Sequence, residues 1–106
     1  MRILVIEDDS ALCKSIEDML NGHSYQTDIA ENLKDGEYFI SIRNYDLVLS
    51  DWDLPDGCGV DIISQVKEKS PRTPVVIMSS KSSVENELHA FKEGADDFIS
   101  KPFNAE

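Results

Sequence analysis

The chain lacks the features that mark membrane, secreted and metal-thiolate proteins. No stretch reaches the ~20 apolar residues of a membrane span, and Met1 leads into a short apolar run and then acids, unlike a secretory signal. The two cysteines, Cys13 and Cys58, have no histidine or cysteine at metal-ligand spacing, so we expect reduced thiols. These absences favour a cytoplasmic protein that does not insert into a membrane.

Basic residues are also scarce. Ten lysines and arginines stand against 21 acids, which gives a formal net charge of -11. Such a field repels nucleic acid, so we expect no direct binding of DNA or RNA by this chain. The excess acid suits a metal cation or a basic partner surface, although a solvated acidic surface accounts for most of it. The length of 106 residues, 41% of them hydrophobic, fits one globular domain.

Short apolar runs alternate with amphipathic stretches along the sequence, and each kind predicts a different element. Entirely apolar runs are typical of strands that are buried on both faces. The five predicted strands are residues 3–6, 25–30, 47–50, 75–78 and 98–100, with one helix predicted in each interval. This alternation predicts an α/β fold, a doubly wound parallel sheet of five strands with helices on both faces.

Local signals predict where the helices begin and end. Ser10 is the expected N-cap of the first helix, and Gly22 is its expected stop signal. Gly36 weakens the case for the second helix, whereas Gly94 should close the fourth. A fifth helix that would cover the last edge of the sheet is missing, which predicts either a chain cut from a longer protein or a partner over that face.

Polar side chains follow four of the five predicted strands. They are Glu7-Asp8-Asp9, Asp51 with Asp53, Ser79-Ser80, and Lys101. Parallel strands end at the same edge of a sheet, where crowded carboxylates would raise one another's pKa unless a cation such as Mg²⁺ joined them. A metal beside Asp51 suits transfer of a phosphoryl group to its carboxylate, with Lys101 neutralising the equatorial oxygens. The Ser79 hydroxyl could bond one of those oxygens and supply a switch.

Each of these residues also has an ordinary structural explanation. Asp9 could equally be a helix N-terminal charge, Ser79 a loop serine and Lys101 a surface lysine. Gly57 and Gly59 are interpreted as turn glycines, because no Gly-rich loop with a following Lys-Ser/Thr is present. The combination of these groups, each at its own strand end, is what favours a phosphoryl acceptor.

With these residues in place, the whole chain resembles the receiver domain of two-component response regulators. Residues 3–9 resemble the acid-pocket motif of that family, and residues 46–57 resemble its phosphoacceptor motif. Residues 75–80 are similar to the switch-hydroxyl strand, and residues 94–103 are similar to the lysine motif. The fold that the resemblance implies is a flavodoxin-like sheet with strand order 2-1-3-4-5.

The resemblance implies a signalling role for the acid pocket. Asp51 would accept a phosphoryl group from the phosphohistidine of a sensor histidine kinase. Asp8, Asp51 and the main-chain carbonyl of Asp53 would bind Mg²⁺, with Glu7 acting through water. The chain would thus be a phosphoacceptor that catalyses its own phosphorylation and dephosphorylation, and not an enzyme in the usual sense.

The resemblance also implies how the signal is read. Lys101 would contact the phosphoryl group, and Ser79 would be the switch hydroxyl. Phe98 stands at the position of the switch aromatic, which turns inward when the hydroxyl engages the phosphate. Asp53 and Lys81 occupy positions that tune dephosphorylation, and we hypothesise that they approach across the pocket and slow attack by water. The peptide bond between Lys101 and the following proline, Pro102, is usually cis in this family.

Asp51-Trp52 and Leu54-Pro55 resemble the subgroup with winged-helix DNA-binding outputs. Residues 1–106 are therefore expected to be the N-terminal receiver part of a longer response regulator, truncated before the last helix, with a C-terminal output domain that regulates transcription. A phosphorylation-dependent homodimer is a further expectation. Glu87 argues against it, because the subgroup often has a basic residue there.

Two other functions compete with this interpretation. Haloacid-dehalogenase-like phosphatases pair a nucleophilic aspartate with an acid two residues later, as Asp51 and Asp53 are spaced. That class places the motif after its first strand and needs a larger chain. A pseudo-receiver that only binds proteins is the other alternative, and the intact set of Asp51, Ser79 and Lys101 argues against it.

Overall fold

A computed structural model describes residues 1–80 and 84–101 of the chain. In chain order its elements are β1 (Arg2–Ile6), α1 (Ser10–Asn21), β2 (Gln26–Ala30), α2 (Leu33–Ile42), β3 (Leu47–Asp51), β4 (Asp53–Leu54), β5 (Gly57–Cys58), α3 (Asp61–Lys69), β6 (Val75–Ser79), α4 (Val84–Lys92) and β7 (Asp97–Ser100). The ends of the five predicted strands agree with the structure to within one residue. The sequence did not predict β4 and β5, two antiparallel strands of two residues each in the segment that was interpreted as a turn.

Five parallel strands form one sheet in the order β2-β1-β3-β6-β7. This is the predicted 2-1-3-4-5 order, because β4 and β5 pair only with each other. The register aligns Ile6 with Ser50 and Asp51 with Met78. The carboxyl ends of β1, β3 and β6 are therefore side by side.

The two faces of the sheet pack against different helices. On one face the β1 and β6 side chains Leu4, Ile6 and Ile77 join a large core that includes residues of α2, α3 and α4. On the other face, Ile3 and Val5 pack with apolar residues of α1. Helices therefore cover both faces, as the alternating pattern predicted. No helix in the described ranges has the length and apolar character to cross a membrane.

The first helix differs from the prediction at its start, whereas it ends at Asn21 with Gly22 as its C-cap, as the sequence predicted. Asp9, not Ser10, is the N-cap, because its carboxylate accepts hydrogen bonds from the N–H groups of Ala11 and Leu12 at 3.0 and 3.2 Å. Gly22 retains right-handed helical backbone, with φ -61°. The left-handed residue of the turn is Ser24, with φ 64°.

The second helix forms despite its glycine because it lies close to the sheet. A Cβ at Gly36 would lie 2.6 Å from Cδ1 of Ile6, so a hydrogen at this position permits the close approach of α2 to β1. Asn32 caps the helix by accepting from the N–H of Asp35 at 2.7 Å. The carboxylate of Asp56 also accepts from Leu33 N and Lys34 N, at 2.7 and 2.9 Å, which ties the loop after β3 to α2.

Candidate functional site

Polar side chains meet at the carboxyl edge of the sheet, as the strand pattern predicted. Glu7 follows β1, Asp51 ends β3 and Ser79 ends β6, and all three side chains are buried. Lys101 follows β7 and is mostly buried, whereas Asp8 is exposed. Buried polar side chains need hydrogen-bond or ionic partners, so the contacts of these residues indicate what this edge of the sheet can bind.

Three of the acids form a compact cluster. Glu7, Asp8 and Asp51 each offer a carboxylate oxygen, and these oxygens lie within 4.8 Å of one another. Burial and the neighbouring Asp51 carboxylate raise the pKa of Glu7 above its ordinary value, although the hydrogen bond from Lys101 opposes this. Carboxylate oxygens are the ligands that hard divalent cations prefer, so the donor set fits Mg²⁺ or a similar ion.

Lys101 is the cation of this cluster. Its Nζ contacts Oε1 of Glu7 and lies 3.4 Å from Oδ2 of Asp51. Burial acts to lower the pKa of Lys101, but the hydrogen bond to Glu7 and the charge of Asp51 outweigh it, so the pKa is raised. The backbone N–H of Lys101 donates to the carbonyl of Ser79 at 2.7 Å, which fixes the lysine beside β6. The ammonium is therefore charged and within reach of any group bound to Asp51.

The backbone beneath Asp51 is held from both sides. Trp52 N donates to the carbonyl of Met78 at 2.7 Å, and Gly59 N donates to the carbonyl of Trp52 at 2.8 Å. A Cβ on Gly59 would lie 1.8 Å from the carbonyl oxygen of Asp51 and 2.6 Å from Oγ of Ser50. Only a glycine fits there. From the sequence, Gly59 was interpreted as a turn glycine, and its close contact with Asp51 was not predicted. The only sequence signal of this contact is a second glycine soon after Gly57.

The two residues expected to form the switch lie on adjacent strands. Ser79 ends β6 and Phe98 lies in β7, in register with Ile77. Both side chains are buried, and the Phe98 ring is already part of the core. Its ring centroid lies 6.3 Å from that of Trp52, at an interplanar angle of 69°. Trp52 is partly buried and packs against the core on this face of the sheet.

Of the two residues expected to tune dephosphorylation, Asp53 lies among the described residues. Asp53 is exposed in β4, opposite Cys58 of β5. Lys81 lies outside the described residues, as do Pro102 with its expected cis peptide bond and the end of the lysine motif. Their roles stay predictions.

One thiol also borders the acid cluster. Sγ of Cys13 donates to the carbonyl of Glu7 at 3.2 Å. Burial and the charges of nearby acids, Glu7 first among them, raise the pKa of Cys13 to about 11. Both cysteines are free in the structure, as the sequence predicted, and Cys13 acts as a buried neutral donor.

Comparison with known proteins places this geometry in a family. The model of the response regulator receiver domain matches residues 3–106. The cell cycle transcriptional regulator CtrA of Caulobacter vibrioides is 39% identical over 107 residues, which covers 98% of this chain and 45% of that protein. The chain thus spans about half the length of the relatives it matches.

Solved structures agree with the family model. The orphan response regulator HP1043 of H. pylori has a TM-score of 0.87 and 42% identity, and the match covers 98% of this chain and 85% of that one. The beryllofluoride-activated receiver domain dimer of NtrC4 has a TM-score of 0.90 and 33% identity, covering 97% of this chain and 85% of that one. By sequence, fold and the grouping of its acids, the chain belongs to the response regulator receiver domain family.

Proposed function

We propose that this chain is the phosphoacceptor of a two-component system and that it takes a phosphoryl group on Asp51 from a histidine kinase. The observation that carries the proposal is the position of Asp51. Its carboxylate ends β3, lies within 4.8 Å of Glu7 and Asp8 oxygens, and has the Lys101 ammonium at 3.4 Å. A carboxylate beside two further acids and an ammonium group is arranged for metal-assisted phosphoryl transfer.

The transfer would proceed by direct attack of the carboxylate. An oxygen of Asp51 forms a bond to phosphorus, the P–N bond of the phosphohistidine breaks, and the imidazole nitrogen keeps the electron pair. Asp8, Asp51 and the main-chain carbonyl of Asp53 would hold Mg²⁺, with Glu7 acting through water. The bound ion would neutralise charge on the phosphoryl oxygens.

Lys101 and Ser79 would act on the product. Lys101 is charged and close enough to contact a phosphoryl oxygen of the aspartyl phosphate. The Ser79 hydroxyl would bond another oxygen, and Phe98 would keep or take its inward position beside it. Water attack on phosphorus would restore the carboxylate, with Asp53 and Lys81 tuning its rate. The chain would therefore act as a signalling phosphoacceptor that catalyses both steps on itself.

The partners follow from the relatives. CtrA is named a transcriptional regulator and is about twice as long as this chain. We therefore propose a cytoplasmic response regulator whose output domain, outside this chain, binds DNA. The NtrC4 receiver domain was solved as an activated dimer, and a phosphorylation-dependent homodimer of this chain is the corresponding proposal. Sedimentation velocity with and without a phosphate mimic would test that dimer.

Intact mass spectrometry tests phosphoryl acceptance. The chain is incubated with a small-molecule acyl phosphate, with and without Mg²⁺, as wild type, Asp51→Asn and Asp18→Asn. We expect one added phosphoryl group that requires Mg²⁺, is lost in Asp51→Asn and is retained in the Asp18→Asn control, which changes an exposed acid outside the site. If wild type binds Mg²⁺ but gains no mass, the proposal is wrong and a phosphorylation-independent binding module takes its place.

A further inference from the structure

Helix α4 buries few of its side chains within the part of the chain that the structure describes. Among its residues Ala90 is the one that is buried. The large apolar side chains Val84, Leu88 and Phe91 are 72%, 63% and 42% exposed. Because most helical stability in proteins comes from packing of an apolar face, α4 depends on whatever other contacts it makes.

One such contact joins α4 to the residue after Asp51. The ring centroids of Trp52 and His89 are 5.6 Å apart with an interplanar angle of 79°, an edge-to-face arrangement. His89 is exposed and lies in the last turn of α4, where its Nε2 is 3.7 Å from Oε1 of Glu93. The indole is therefore one contact between this imidazole and the body of the protein.

The same indole also contacts the proposed switch residue. The ring centroids of Trp52 and Phe98 are 6.3 Å apart, so one indole contacts both the switch aromatic and His89 of α4. Its backbone is fixed, since its N–H bonds to Met78 and its carbonyl to Gly59. The indole that contacts α4 is therefore adjacent both to Asp51, the preceding residue in the chain, and to Phe98.

We propose that Trp52 and His89 form a latch, by which the loop carrying Asp51 positions α4. The latch holds α4 in the unphosphorylated chain and carries part of the signal from Asp51 to that helix. His89 is then a positioning residue, because it acts on α4 through Trp52 and touches none of the reacting atoms. The signalling half of this proposal rests on the phosphoacceptor function proposed above, whereas the structural half does not.

Amide hydrogen exchange of residues 84–92, measured by mass spectrometry without phosphodonor, tests the structural half. An aromatic pair of this geometry corresponds to a roughly 2- to 10-fold change in an opening equilibrium. We expect His89→Ala to raise the α4 exchange rates by that factor. Alanine favours helix more than histidine does, so helix propensity alone would slow the exchange.

Two control variants and a double mutant distinguish loss of the latch from a general effect of removing an aromatic ring. His89→Phe keeps an aromatic edge and should restore exchange to within about twofold of wild type. His23→Ala removes another exposed histidine, stacked on Tyr25 with centroids 6.0 Å apart, and should leave α4 unchanged. In a Trp52→Leu background, His89→Ala should have no further effect. The latch is wrong if His89→Ala matches wild type or if its effect persists without Trp52.

The signalling half is tested by repeating the exchange on the phosphorylated chain. Intact mass reports the adduct on Asp51, and phosphorylation should alter α4 exchange in wild type by more than twice the change seen in His89→Ala. An equal change in both proteins would overturn the signalling role. Failure of wild type to gain the adduct would instead refute the phosphoacceptor function, and the exchange measured without donor would still decide the structural half.

Discussion

The ammonium group of Lys101 contacts the carboxylate of Glu7 more closely than that of Asp51, the proposed phosphoryl acceptor. Glu7 is fully buried, so Lys101 is its main source of opposite charge. The lysine thus has two roles in one position. It stabilises a buried acid in the resting protein, and it lies 3.4 Å from the atom to which a phosphoryl group would be attached.

Replacing Lys101 by methionine should lower the free energy of unfolding at pH 7 by about 3 kcal/mol, because one member of a buried ion pair loses its partner. The Glu7 pKa, already raised, should then rise further. A carboxyl whose folded pKa is raised stabilises the fold below its ordinary pKa of 4.5, and this contribution is lost as pH rises through the folded value. Urea denaturation should therefore show a smaller loss at pH 5 than at pH 7.

Two further variants check the cause of that loss. Glu7→Gln combined with Lys101→Met removes both members of the pair, leaves Asp51 as the remaining buried acid of the cluster, and should recover more than half of the lost stability. Lys14→Met breaks an exposed pair with Asp18 and should cost less than about 0.5 kcal/mol. A Lys101→Met protein as stable as wild type at pH 7 would show that the ion pair does not stabilise the fold.

The close approach of Gly59 to Asp51 predicts an intolerant position. Gly59→Ala would place Cβ 1.8 Å from the Asp51 carbonyl oxygen, and backbone cannot yield as a side chain can. We expect a loss of about 3 kcal/mol in unfolding free energy and, because Asp51 must shift, much slower phosphoryl uptake. Thermal melts and intact mass would measure these effects.

Gly22 supplies the matched control for that substitution. It has right-handed backbone, and a Cβ there would lie 3.3 Å from its nearest neighbour, the carbonyl oxygen of Met19. Gly22→Ala should change the unfolding free energy by less than about 1 kcal/mol. If both substitutions change the unfolding free energy equally, small backbone shifts must relieve the contact between the new Cβ at position 59 and the carbonyl oxygen of Asp51.

The sheet and the membership of the site could be predicted because both depend on local pattern. Apolar runs such as residues 75–78 form buried strands, and the polar residues that follow each predicted strand fall at the carboxyl edge by the geometry of a parallel sheet. Glu7, Asp51, Ser79 and Lys101 were found in this way.

What could not be predicted depends on contacts between distant residues. The carboxylate of Asp56 caps α2, 23 residues earlier in the chain, and nothing local distinguishes it from a turn aspartate. The edge-to-face contact of Trp52 and His89 depends on how α4 lies over the sheet. The N-cap of α1 was predicted at Ser10 instead of Asp9 for a different, local reason. Both residues are good N-caps, and only the backbone decides which one precedes the first helical turn.

The left-handed backbone of Ser24 predicts a stabilising substitution. Its φ of 64° is costly for a residue with a Cβ, by about 1–2 kcal/mol, and costs glycine little. The greater freedom of glycine in the unfolded chain offsets part of the gain. We expect Ser24→Gly to raise the unfolding free energy by about 0.5–1 kcal/mol in urea titrations.

Ser15→Gly is the matched control, because the same substitution should destabilise the protein there. Ser15 is an exposed residue inside α1, where glycine is a poorer helix former, so Ser15→Gly should lower stability by about 0.5 kcal/mol. If both substitutions destabilise the protein, the strain assigned to Ser24 is absent in solution.

Asp96 joins three segments at the other end of the sheet. Its Oδ2 accepts from Nζ of Lys67 at 2.6 Å and from the N–H of Val75 at 2.8 Å, so it links the end of α3 and the start of β6 to the turn before β7. The hydrogen bond from Lys67 lowers the pKa of Asp96 below its ordinary value, although partial burial opposes this. This carboxylate should therefore stabilise the fold in its charged form.

Asp96→Asn should lower the unfolding free energy by about 1 kcal/mol at pH 7, a modest value because the side chain is 47% exposed. A group with a lowered folded pKa stabilises the fold above its ordinary value, here 3.8, and loses that contribution as pH falls through the folded pKa. The difference in unfolding free energy between wild type and variant in urea titrations should thus narrow below about pH 4.

The control is Asp18→Asn, in an exposed pair with Lys14, whose unfolding free energy should differ from that of wild type by less than about 0.5 kcal/mol at pH 7. A difference for Asp96→Asn that stays constant from pH 7 to pH 3 would mean that the effect comes from packing and not from the charge of Asp96.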